Sequence, residues 1–141
     1  MKDRNRCYTY FSIVGDFDPR EATELLGLRP DHTVRAGERS PRGVWQSESV
    51  WEFGRCDKYS PITADQMERT LLPLAERVEQ LRKFRDEHSV KYYLSVVPEL
   101  YCKDAAPALA PSLNVIDFCH AVRCEIDIDM YLCEGEDVSE D

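Results

Sequence analysis

The sequence predicts an α+β fold, with one mixed or antiparallel sheet of four to five strands and helices mainly on one face. Two observations lead to this prediction. Segments rich in β-branched and aromatic residues alternate with segments of helical periodicity, in the order strand, helix, strand, helices, strand, helix, strand. The final strand also alternates strictly between apolar and polar residues, which is typical of a sheet with one buried face. Such an order favours a two-layer sandwich, and a ferredoxin-like strand order stays open because connection lengths do not determine it.

Length, composition and net charge predict the number of domains, the compartment and the kind of partner. The 141 residues, 43% apolar, predict one globular domain over residues 1–133, and the acidic segment 134–141 predicts a disordered tail. No apolar run is long enough to cross a bilayer and the N-terminus has no apolar signal region, so we expect a cytoplasmic protein without membrane contact. The net charge of −9 argues against nucleic acid and favours a basic protein partner, although solubility alone also explains it.

The first strand and helix follow from local rules. The segment Cys7–Val14 suits a strand because aromatic and β-branched residues dominate it. Asp18 is placed to cap a helix, Pro19 fits its first position and Glu21 completes a capping box. Gly27 can adopt the left-handed conformation that ends the helix.

The second predicted strand covers Val44–Phe53, with a break near Ser47. Trp45 and Trp51 share parity with Phe53, so we expect both indoles in the core of the sheet rather than in a ligand site.

A long helical region is expected to follow, with a capping box formed by Thr63 and Gln66. Pro73 removes a backbone donor and clashes with the preceding turn. We therefore expect two successive helices separated near Leu72.

The last third predicts a strand at Val90–Val97 closed by Pro98, then a helix at Ser112–Val122. A closing strand follows in which two sets of residues alternate. The inward set is Ile126, Ile128, Met130 and Leu132, and the outward set is Glu125, Asp127, Asp129 and Tyr131.

The outward set is the predicted partner-binding site. Three carboxylates about 6.6 Å apart form a negative ladder that would attract lysines or arginines of another protein. A solvated face, or pairing with the protein's own arginine-rich loop, also explains the pattern. The three carboxylates could bind a divalent cation only if another strand or loop supplied a further ligand, such as Asp16.

An alternative site is the polar loop that follows the first helix. This loop concentrates positive charge in an acidic chain. It contains Arg29, Arg35 and Arg39, and also Arg42. Together with the Asp16–Asp18 turn, it predicts a small-anion or nucleotide site, or an unrecognised enzyme, as the competing interpretation.

We expect no catalytic residue, no metal and no cofactor. The sequence contains no nucleophile elbow, zinc-protease motif or phosphate-binding glycine loop. Cys124 and Cys133 lie at opposite ends of one predicted strand, roughly 30 Å apart at about 3.3 Å per residue, and cannot share an ion. Without a CxxC motif, the six cysteines are expected to be reduced and mostly buried.

The segment Phe11–Pro30 resembles the bacterial family called domain of unknown function 4279. The similarity lies in the pattern F-x-I-x-G-D-F-D-P-x-E-x-T-x-L-L-G-L-x-P, followed by Gly37-Glu38. A second similarity runs from Pro111-Ser-Leu through a helix to the closing segment Ile126–Tyr131. The resemblance implies a small cytoplasmic domain of the kind met in bacterial toxin–immunity settings. It implies no reaction and no catalytic residue. The leading hypothesis is thus a non-catalytic protein-binding module, similar to an immunity protein that neutralises a basic toxin.

Overall fold

The computed structural model describes residues 4–39 and 41–134. It has the predicted α+β architecture, a mixed sheet with helices on one side. The predicted tail, apart from Glu134, lies outside the described residues.

Six strands and four helices make up the described chain. The strands are β1 (Arg6–Asp16), β2 (His32–Val34), β3 (Ser49–Cys56), β4 (Ser89–Tyr101), β5 (Cys124–Ile128) and β6 (Tyr131–Cys133). The helices are α1 (Pro19–Leu26), α2 (Thr63–Leu71), α3 (Val78–Glu87) and α4 (Leu113–Val122), with a 3₁₀ turn at Ala75–Arg77 before α3.

The strand order is β2-β3-β1-β4-β5, and β6 pairs with the C-terminal end of β4. β3 lies between β1 and β2 and is antiparallel to both, so β1 and β2 are parallel to each other. These two parallel strands are connected through α1. This split βαβ unit, with β4 antiparallel to β1, is the ferredoxin-like arrangement that the sequence left open. β5 and β6 extend the sheet beside β4, parallel to it, after the crossover through α4.

The hydrophobic core lies between the helices and one face of the sheet. β1 and β4 form its floor with alternate residues, among them Phe11, Ile13, Tyr92 and Leu94, all fully buried. Trp51 of β3 is also fully buried, and its indole Nε1 donates to Thr23 Oγ1 at 2.9 Å. This bond satisfies the indole N–H and ties α1 to the sheet.

The local rules for α1 are confirmed. Asp18 caps the helix by accepting from the Arg20 backbone N–H at 3.0 Å, and the reciprocal bond of the capping box from Glu21 is present. Gly27 ends the helix in the left-handed conformation.

The helical region after β3 divides near Leu72, as Pro73 predicts, but its predicted capping box is wrong. Ile62 occupies the N-cap position, and the hydroxyl of Thr63 donates to Ala108 O at 2.6 Å. Gln66 is buried and its amide binds carbonyls of the sheet, which leaves it unable to reach back to the helix start.

Three strand predictions need correction. Trp45 lies in the loop before β3, 63% exposed, instead of in the core. β4 continues through Pro98, whose missing N–H falls between the segments that pair with β5 and β6. The closing strand is two strands, and its predicted inward residues Ile128, Met130 and Leu132 are exposed because α4 covers only the start of β5.

Candidate functional site

The face of the sheet opposite the helices is the candidate site, and we call it the open face. Register places alternate residues of every central strand on it. Its central members are Tyr8, Tyr10, Ser12, Val14, Val50, Glu52, Tyr93, Ser95, Glu125 and Asp127.

One row of side chains crosses the open face from β3 to β5. Ser12 of β1 pairs with Glu52 on one side and Tyr93 on the other, and Tyr93 pairs with Glu125. Residues directly opposite in neighbouring strands have Cβ atoms about 5 Å apart, so this row is continuous. It places a carboxylate at each end and small or aromatic groups between them.

The next row is built on a β-bulge. Tyr10 of β1 faces two residues of β3, Gly54 and Arg55, because the register shifts between Thr9 and Phe11. Gly54 has φ +76°, the left-handed conformation that this kind of bulge requires.

The bulge turns Arg55 onto the open face. Its guanidinium carbon lies 3.8 Å from the centre of the Tyr8 ring, which in turn stacks on Tyr10 with centroids 6.1 Å apart. On the other side of Tyr10, Ser95 and then Asp127 complete the row. An aromatic strip therefore lies beside the carboxylate of β5.

Electrostatics set Glu52 apart. Its side chain is half-buried, and burial raises the pKa of its carboxyl, while neighbouring His32 and Arg55 act in the opposite direction. Within the described chain no side chain forms an ion pair or a hydrogen bond with this carboxylate. Burial also raises the pKa of the Tyr10 phenol, opposed by its hydrogen bond with Ser95. The centre of the open face is thus partly desolvated before anything binds to it.

The predicted partner-binding residues are all exposed. Glu125 and Asp127 lie on the open face at the outer strand β5. Asp129 follows the end of β5, and its carboxylate accepts from the Tyr131 hydroxyl at 3.1 Å, a bond that raises the pKa of that phenol. Register places Tyr131 beside Glu99 of β4, which pairs with Arg6 of β1, so Tyr131 lies at the edge of the open face.

The alternative anion site has a different geometry. Arg35 reaches the Asp18 carboxylate at 3.3 Å, so the loop and the turn meet as the alternative requires. The backbone N–H of Arg20 is the main cause that lowers the pKa of Asp18, followed by the Arg20 guanidinium and, least, by that of Arg35. Arg39 lies over the Trp45 ring at 4.8 Å, and Arg29 is exposed. Two of the three predicted arginines therefore already contact groups of the protein itself.

Sequence reasoning missed the central part of the open face. Tyr8 and Tyr10 alternate with the core residues of β1, so the period of two could have found them. Glu52 is likewise out of phase with Trp51 and Phe53. The position of Arg55 could not be found in this way, because the bulge changes its parity.

Metal and thiol chemistry gain no support from the described residues. No three histidine, cysteine or acidic side chains within them come together as metal ligands. All six cysteines are free, and Cys7, Cys119 and Cys124 are buried, whereas Cys102 is exposed. Burial raises the pKa of Cys7 to about 11, which makes this thiol unreactive. In the part of the chain that the structure describes, every helix is too short or too polar to cross a membrane.

The family model of Domain of unknown function (DUF4279) matches residues 5–133. The chain belongs to the DUF4279 family. The match includes the open face, the arginine-rich loop and all six strands, and so confirms the resemblance carried by Phe11–Pro30. Comparisons with curated proteins and with solved structures gave no match.

Proposed function

We propose that this DUF4279 domain is a non-catalytic protein-binding module, which binds a basic protein through the open face. In this role it would resemble a bacterial immunity protein that neutralises a basic toxin. The observation that carries the proposal is the half-buried Glu52 carboxylate beside a strip of tyrosines. Within the described chain it forms no ion pair or side-chain hydrogen bond, although His32 and Arg55 lie near enough to influence its pKa.

The side-chain chemistry of the open face suits a protein interface. Tyrosine is enriched in interfaces because it offers a large rigid contact area together with one polar group. Tyr8, Tyr10, Tyr93 and Tyr131 supply four such groups, each only partly buried or exposed. Ser12 and Ser95 between them are small and buried, so the larger tyrosine side chains form most of the accessible surface there.

The size of the face is also suitable. The six-stranded sheet has strands of 11 and 13 residues at its centre. At about 3.3 Å per residue and about 4.8 Å between strands, it provides on the order of 700 Å² of face. A stable interface buries about 800 Å² per partner. The open face with its rim therefore provides about the area that one specific interface needs.

The charge of the open face favours a basic partner. Glu52, Glu125 and Asp127 flank the tyrosines on two sides. The positive groups of the same face are Arg55 over Tyr8 and Lys91 beside Val14. A lysine or arginine of the partner would meet the Glu52 carboxylate in a partly desolvated site, where a charge-assisted bond is strongest. The net charge of −9 would add long-range attraction that weakens with salt.

The test is affinity capture from the native host at low and at moderate salt, with the immobilised full chain. We expect a stoichiometric basic protein with the wild type, and its loss with the double variant Glu52→Gln and Asp127→Asn. The matched control is Glu76→Gln with Asp117→Asn, which removes the same charge from the helical side. Equal capture by both double variants would refute a role for the open face, and recovery of no basic protein would refute the proposal itself.

A further inference from the structure

An open cavity of about 690 Å³ lies on the helical side of the sheet, beside the outer strand β5. It is bounded by α3, α4 and the start of β5. It is separate from the arginine-rich loop and from the tyrosines of the open face. Three arginines line it, Arg82 and Arg85 from α3 and Arg123 from the end of α4, together with His120.

This concentration of positive charge is unusual in a chain with a net charge of −9. The lining contains one carboxylate, that of Glu125, against three guanidinium groups. Neither Arg82 nor Arg123 forms an ion pair with any acidic residue of the described ranges. Three like charges repel one another, so a cluster without enough counter-charge is suited to an anion from outside.

The backbone at Arg123 is a second, independent observation. Arg123 ends α4 with φ 58° and ψ 49°, and it is the one residue other than glycine with positive φ in the described chain. Glycine usually occupies this position because a side chain makes the left-handed conformation unfavourable. An arginine held there at an energetic cost indicates that its side chain has a use.

The site is also partly preorganised. The guanidinium of Arg85 donates to the carbonyl oxygen of Arg123 at 3.0 Å, which fixes α3 relative to the end of α4. Ile116 and Ile126 add an apolar wall to the same cavity. The lining therefore combines an anion-binding side with a surface for the uncharged part of a ligand.

We infer that this cavity binds a small molecule that carries a phosphate group. The planar fork of arginine matches phosphate oxygens in a bidentate manner, and three forks suit a group with several such oxygens. The volume lies within the range of about 300–1,000 Å³ found for small-molecule sites. A long polyanion is disfavoured because the acidic remainder of the protein would repel it. This inference does not depend on the proposed function of the open face.

The test is isothermal titration calorimetry of the full chain with pyrophosphate, with inorganic triphosphate and with ATP, at low salt. A charge-assisted bond contributes about 1.5–3 kcal/mol, so Arg82→Gln should weaken binding at least about tenfold. The matched control is Lys58→Gln, which removes one positive charge from an exposed loop outside both candidate anion sites and should leave the affinity unchanged. Arg39→Gln is added as a test of the arginine-rich loop, the competing anion site. Binding of ATP tighter than that of inorganic triphosphate, which has the same three phosphates without the nucleoside, would support contact of the apolar wall with the ligand.

A second variant separates folding from binding. Arg123→Gly places the preferred residue at the left-handed position, so we expect a midpoint of thermal unfolding at or above that of the wild type, together with at least about tenfold weaker pyrophosphate binding. Unchanged affinity in this variant and in Arg82→Gln overturns the inference, as does absence of binding to the wild type. Loss of binding in Arg39→Gln alone would assign the anion site to the arginine-rich loop instead. A lowered thermal midpoint would show that Arg123 serves stability and would also count against the inference.

Discussion

Substitution of Gln66 by alanine is the sharpest test of how the helices hold the sheet. Gln66 lies in α2, is 1% exposed, and has all its amide hydrogen bonds with backbone groups. Its Nε2 donates to Cys7 O at 2.8 Å and to Cys56 O at 3.1 Å, and its Oε1 accepts from Ser60 N at 3.2 Å. The side chain thus joins α2 to β1, to the end of β3 and to the loop that leads into the helix.

The expected loss follows from the groups left unpaired. Each buried polar group without its partner costs about 1–3 kcal/mol, and Gln66→Ala removes the side-chain donor from two carbonyls at once. Water entering the space would recover part of this cost. We therefore expect the free energy of unfolding to fall by about 3 kcal/mol, a large fraction of the roughly 5–15 kcal/mol that stabilises a domain of this size.

The assay is urea unfolding followed by tryptophan fluorescence and by circular dichroism. Gln80→Ala is the matched control, because Gln80 is exposed on α3 and its loss should change the free energy of unfolding by less than about 0.5 kcal/mol. A loss below about 1 kcal/mol for Gln66→Ala would refute the reasoning, since it would mean that the two carbonyls do not need this donor.

Two further predictions concern the open face and its frame. Gly15→Ala would drive a Cβ atom into the carbonyl oxygen of Ser89 at a φ of +149°, so we expect the free energy of unfolding in urea to fall by at least about 3 kcal/mol. Gly43→Ala, where φ is also positive but the space is open, should cost about 1 kcal/mol. For Glu52→Gln, burial raises the pKa of the native carboxyl, so its ionised form is the destabilised one in the folded state. The variant should be more stable than the wild type near pH 7, and this advantage should disappear as the pH falls through the raised pKa of Glu52. An advantage that grows on acidification would contradict this explanation.

Much of the fold could be predicted because local signals and tertiary packing agree. In α1, the cap at Asp18, the proline at its first position and the left-handed Gly27 each act through neighbouring backbone groups, so the sequence alone contains the full cause. The break near Leu72 is of the same kind, since Pro73 acts on the turn that precedes it.

The failures have a common cause in long-range contacts. Gln66 resembled a capping residue, yet its partners are carbonyls 59 and 10 positions away in the chain. β2 has three residues, too few for an alternating pattern, and it exists because β3 offers it an edge. Trp45 has the parity of Trp51, but pairing of β3 with β1 begins only at Ser49. Parity predicts a shared face only within one continuous strand.

Both candidate sites depend on the unit that extends the split βαβ core. Without α4 and β5, the open face would end at β4 and would lack Glu125 and Asp127. The same unit brings Arg123 to the guanidinium of Arg85, which completes the cavity on α3. Glu125 belongs to both places, as the end of one row on the open face and as the single carboxylate of the cavity lining. A phosphate-bearing ligand beside Arg123 would add negative charge next to Glu125, and should therefore strengthen the attraction of the open face for a basic partner.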